Sequence, residues 1–171
     1  MARNAGNQHL FEESQAQLPL FQYDSAVLYT IFRLLHYLAI LVLAITLIIE
    51  NRAISPTISD EEAINLVKVD NIFRISAFLV AVFGVILWLG VGKPEAFYGM
   101  NLFFQIKIVL FAFAAPLSVY PTFYFFKVRR DRLPENAVPS LVRLLMKLEL
   151  LLLVIIPMLA YLMARGIGLM I

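Results

Sequence analysis

Cysteine is absent from the 171 residues, so a disulfide framework, a thiolate metal site and a cysteine nucleophile are all closed to this chain. Charge is scarce: Asp, Glu, Lys and Arg make up 15% of residues against 61% apolar ones, and the mean hydropathy is +0.83. That balance lies far outside the range of water-soluble domains and marks an integral membrane protein. Also missing are a glycine-rich phosphate loop, a Ser/His/Asp arrangement and a paired-carboxylate hydrolase signature. Residues 1–25 lack the basic start and apolar run of a signal peptide. The net charge of +2 and pI near 9.0 suit the loops of a membrane protein and carry no nucleic-acid signal.

Four long apolar segments are present, at about residues 26–49, 69–89, 101–126 and 138–164. Each is long enough to span a bilayer, which takes ~20 apolar residues. The expected fold is all-α: an antiparallel four-helix transmembrane bundle filling residues 26–171, behind a polar N-terminal arm of residues 1–25. The first loop contains Ser59-Asp60-Glu61-Glu62, a cap followed by an acidic first turn, so a short amphipathic piece is expected ahead of the second span. The second loop, "GVGKPEAFYGMN", is a Gly/Pro turn, and the third, "KVRRDRLPENAVPS", is basic and broken by proline.

The first and third loops with their flanking helix ends hold nine of the fourteen basic residues: Arg52, Lys68, Arg74, Lys127, Arg129, Arg130, Arg132, Arg143 and Lys147. Cytoplasmic loops retain such charges, so both termini are expected on the non-cytoplasmic side of a bacterial inner membrane. The lipid bilayer is then the first partner.

Ionisable groups inside the spans are the informative positions, because each costs a few kcal/mol unless it faces a neighbour, a cavity or a ligand. His36 lies about ten residues into the first span, ~15 Å deep. Lys107 enters the third span from the same side, and Arg33, Lys93 and Arg165 rim that side. His36 has two readings: a buried imidazole hydrogen-bonded to a neighbour, or an axial metal ligand to haem b in an apolar bundle, with Arg33, Lys93 and Arg165 holding the propionates. Those cations read equally as snorkelling interface residues. Lys107 would be a second ligand or the catalytic proton donor. At the other side, Glu50, Asp70 and Arg143 are expected to form an interhelical ion pair, with Glu149 joining them or pairing with Arg74. Pro116, Pro121 and Pro157 are expected to kink their spans.

The blocks "LHYLAILVLAITLIIE", "GKPEAFYGMNLFFQIKIVLFAFAAPLSVYPTFYF" and "LEL" through "IPMLAYLMARGIG" resemble the bacterial membrane proteins of domain-of-unknown-function family 2214, from about Leu35 to Gly168. The matching positions that stand out are His36, Glu50, Asp70, Lys93, Lys107, Glu149 and Arg165. The second span departs from the family pattern, with Leu87 where arginine is usual and Arg74 near a usual small residue. More distantly, the layout is similar to HemJ-type protoporphyrinogen oxidases and CopD-type copper-resistance membrane proteins. The HemJ type carries a first-helix histidine and a third-helix lysine and is associated with b-type haem, a likeness of layout alone.

Two functions therefore compete. In the first, the bundle binds haem b or a porphyrin through His36 and acts in membrane redox or tetrapyrrole chemistry, with a homodimer offering a second His36. In the second, it is a non-catalytic subunit of a larger membrane complex or a small proton/ion transporter. There the buried charges fix helix register or conduct, along a polar path from His36 to Glu50.

Overall fold

The structure, a computed structural model, describes the backbone of residues 2–92, 95–131 and 136–168, and side chains within that set from residue 26 onward, except those of residues 95, 96 and 136. Helix α1 spans Ala2–Ala53, α2 Asp60–Leu89, α3 Glu95–Gly99, α4 Leu102–Asp131 and α5 Ser140–Ala164. Two short strands, β1 (Thr57–Ile58) and β2 (Asn136–Ala137), lie in the first and third loops. Four stretches are long and apolar enough to cross a membrane: Ala26–Ala53 of α1, and the whole of α2, α4 and α5. Many of their large apolar side chains, among them Leu34, Phe78, Val109, Phe123 and Val154, point away from the protein. That is what a hydrocarbon solvent favours.

The polar residues ahead of Ala26 continue the backbone of α1 back to Ala2. Helix α2 starts at Asp60, so the amphipathic piece expected before the second span is the beginning of that helix. Ser59 fixes the start through a capping box: its hydroxyl accepts from the Glu62 N–H at 3.3 Å, and the Glu62 carboxylate accepts from the Ser59 N–H at 2.8 Å. Pro116, Pro121 and Pro157 lie inside helices that continue past them.

The spans pack as two hairpins, α1 with α2 and α4 with α5, and the ring closes where α2 meets α4 and α5 meets α1. Packing is tightest at the end bearing the basic first and third loops. There Ile58, Val67, Phe125, Val142 and Met146 are all at most 1% exposed and form one apolar cluster. Over it, β1 pairs antiparallel with β2, Thr57 opposite Ala137 and Ile58 opposite Asn136. A further hydrogen bond from Val138 N–H to the Pro56 carbonyl (2.9 Å) holds the two loops together, and the Tyr124 hydroxyl donates to the Ala137 carbonyl at 3.0 Å, fastening the third loop to α4.

The opposite end is closed by the final turn of the described chain. Asn101 is fully buried; its Oδ1 accepts from Phe104 N–H and its Nδ2 donates to the Ile167 carbonyl, both at 3.2 Å. Leu102 N–H donates to the Gly168 carbonyl at 2.9 Å, so the returning turn caps the start of α4. Gly166 and Gly168 have φ of 78° and 87°, conformations that disfavour a side chain, and a Cβ at 168 would stand 2.5 Å from the Phe103 ring. The "YGMN" and "ARGIG" stretches thus meet in space.

Candidate functional site

Three carboxyl side chains from three different helices converge just inside the basic end. Glu50 is near the end of α1, Asp70 three turns into α2, and Glu149 within the third turn of α5; they are 3%, 3% and 6% exposed. Glu50 feels the charges of both Asp70 and Glu149, and Glu149 that of Asp70. The fourth span contributes Thr122, whose hydroxyl donates to Asp70 Oδ1 at 2.8 Å. All four spanning helices therefore reach one polar centre.

The three acids are not equivalent. Asp70 has Thr122 on one oxygen and, facing the other, the Arg74 guanidinium, with Nε to Oδ2 at 3.3 Å. Arg74 is held in turn by the Asn71 side-chain oxygen and by the Phe126 ring, 5.1 Å from its centroid. The Asp70 Oδ2 contact is ionic rather than a directed hydrogen bond. Glu50 and Glu149 each keep a buried Oε1 with no hydrogen-bond donor. Of these three buried carboxyl groups only Asp70 is shown against a guanidinium among the described residues, a charge imbalance that a proton would offset.

The ion pair within this centre among the described residues is Arg74–Asp70, an i,i+4 pair on one helix. Arg143, expected to join Glu50 and Asp70, instead lines a recess with Ser140, Leu144 and Lys147, its Nε buried and without a hydrogen bond. Asn51 was not singled out by the sequence, yet its Nδ2 donates to the carbonyls of Leu47 (3.0 Å) and Met146 (3.2 Å), tying α1 to α5 beside Glu50.

At the other end, His36 turns inward against α2. A Cβ at Gly84 would lie 3.3 Å from the imidazole Cε1 and 3.8 Å from Nδ1, so the absent side chain is what admits the ring. Nδ1 is buried without a hydrogen bond, and the Val80 main chain lies within reach of the imidazole. Lys107 of α4 is near enough to act on His36 electrostatically, and its ammonium also lies over the Phe104 ring at 4.8 Å. Among the described residues, then, the pair expected at a shared depth is brought together.

The cationic rim is arranged differently. Arg33 is exposed, donates from Nε to the Tyr37 hydroxyl at 3.1 Å and lies 5.8 Å and 5.5 Å from the Tyr29 and Tyr37 ring centroids. Arg165 lies over Tyr161 at 4.9 Å. Each guanidinium is engaged by tyrosines one turn away on its own helix, the arrangement of an interface anchor. Lys93 lies outside the described residues. No group of three or more His, Asp or Glu suited to a metal ion occurs among them.

Between the two sites, Thr46 and Ser76 are buried polar residues, but Thr46 spends its hydroxyl on its own helix, at the Val42 and Leu43 carbonyls. Beyond them Ala39 and Val80, both buried and apolar, interrupt the stripe before His36. The polar path expected from His36 to Glu50 is not continuous through these side chains.

A family model, DUF2214, described as "Predicted membrane protein", matches residues 28–168. No curated protein and no solved structure matches the chain.

Proposed function

The chain belongs to the DUF2214 family of membrane proteins, and on that premise we propose that it is a small multi-pass protein that takes up a proton at the Glu50–Asp70–Glu149 centre. One observation carries this reading: three carboxyl side chains from three helices, all at least nine-tenths buried, with a donorless oxygen on both glutamates. Ionisable groups kept inside a membrane against their cost are functional by default. Asp70, held by Thr122 and Arg74, is the fixed member; Glu50 and Glu149 are the members open to exchange. The basic end faces the cytoplasm of a bacterial inner membrane in this proposal, following the positive loops.

The test is uptake into vesicles reconstituted with purified protein, read with an internal pH dye under an imposed proton gradient. Wild type should dissipate the gradient faster than empty vesicles, and Glu50→Gln and Glu149→Gln should each abolish the difference. A rate equal to that of empty vesicles would remove the transport reading and leave the centre a structural one.

A haem b or porphyrin held by His36 is the second reading, supported by the proximity of Lys107 and an imidazole nitrogen without a partner. The surroundings fit such a group poorly. Helix α2 runs close to the ring at Gly84, where an added Cβ would stand 3.3 Å from Cε1, and Arg33 and Arg165 are engaged by tyrosines. Oxidised and reduced absorbance spectra of purified protein beside His36→Ala test it directly. A Soret band lost in the variant would establish the site, and protein that stays colourless with haem supplied during expression would retire it.

A further inference from the structure

Arg143, expected to pair with the carboxylates, makes no ion pair with them among the described residues, which raises the question of what it serves. It lines a recess of about 190 Å³ with Ser140, Leu144 and Lys147. These four positions fall at i, i+3, i+4 and i+7, on one face of the first two turns of α5. The face therefore presents two cations and a hydroxyl around an apolar floor. Arg143 is half-buried, and its Nε, shielded from water, has no acceptor among the described residues, although a buried N–H needs one. Glu149 lies nearly two turns deeper on the same helix.

The geometry points to a binding site for the phosphate group of an anionic phospholipid, with Arg143 and Lys147 as its charge partners, Ser140 as a hydroxyl donor and Leu144 against the start of the acyl chain. The location supports a lipid rather than a soluble anion. These turns sit where α5 enters its apolar stretch, at the end that also carries Lys127, Arg129 and Arg130, and their outer face is exposed. A guanidinium grips phosphate through directed N–H bonds, and an ammonium one turn away adds a point charge. The site is independent of the carboxylate centre and stands whether or not that centre transports anything.

The test is native mass spectrometry of the full chain in neutral detergent, titrated with phosphatidylglycerol or phosphatidylcholine. Wild type should retain phosphatidylglycerol in preference to phosphatidylcholine. Arg143→Ala and Lys147→Ala should each weaken that retention ~5-fold, in keeping with the contribution of a single basic residue at an anionic surface. Arg143→Lys should recover part of the loss, which separates the site from a folding defect. Arg129→Ala/Arg130→Ala, which removes two nearby charges outside the recess, should weaken retention less than either recess variant. An equal or greater loss in that control would overturn the site in favour of diffuse attraction. Displacement of the lipid by millimolar inorganic phosphate, or equal retention of the two lipids by wild type, would also overturn it.

Discussion

At the basic end, Val67, Phe125, Val142 and Met146 are wholly buried, two strands join the loops, and four helices each send a polar side chain to one centre. At the His36 end, burial along the helices is sparser, aromatic rings meet tilted or edge-on, and one returning turn supplies the seal. Lipid gives no hydrophobic push between helices, so what holds a membrane bundle together is close packing and hydrogen bonding. Here both are concentrated at one end. The carboxylates at the packed end are tied to the protein's architecture, and the guanidinium groups of Arg33 and Arg165 at the other end are tied to ring contacts on their own helices.

The largest effect should come from Phe125→Ala, which empties the centre of the apolar cluster and should cost ~3–5 kcal/mol, seen as a pronounced fall in thermal unfolding temperature in detergent. Phe32→Ala, which removes a half-buried ring that meets Phe83 at 6.2 Å, should cost less than half as much. Equal losses would break the contrast between the ends. Next comes Thr122→Val, which strips Asp70 of its hydroxyl donor at constant shape and should cost ~1–3 kcal/mol by the same assay. Gly168→Ala should follow at about 1–2 kcal/mol, because the left-handed backbone and the Phe103 ring both oppose a Cβ. Limited proteolysis should then cut the second loop faster while the first and third loops stay protected. Smallest is Arg33→Ala, at ~0.5–1 kcal/mol or less, since an exposed cation held by tyrosine rings contributes little.

Much of this was legible in the sequence, for physical reasons that differ by residue. The four spans showed because ~20-residue apolar runs have few other uses. Glu50, Asp70 and Glu149 showed because a carboxylate in such a run is conspicuous. Their convergence depended on which face each helix turns inward, and helices apolar all round hide that. Thr122, Thr46 and Ser76 blended into the spans for the same reason: a hydroxyl that can bond its own backbone carries no signal of direction. Arg74 had Asp70 one turn behind it, a legible spacing, but Arg143 and Glu149 offered equally plausible partners. The strands of two residues have no periodicity to read. Asn101 and Ile167 meet across 66 positions, a separation no local pattern encodes.

The paired strands have a mechanical consequence. β1 belongs to the loop of one helical hairpin and β2 to the loop of the other, so the backbone bonds between them fasten the hairpins at a single end. Sliding one hairpin along the other would shear that ladder and the Val138–Pro56 bond beside it. At the far end the hairpins meet through side-chain contacts such as the Trp88–Phe104 ring pair at 5.1 Å, while the glycine turn ties α5 to α4 within one hairpin. The molecule therefore resembles a clothes-peg: a force parting the hairpins meets backbone hydrogen bonds beside the carboxylates and side-chain contacts at the end that holds His36 and Lys107.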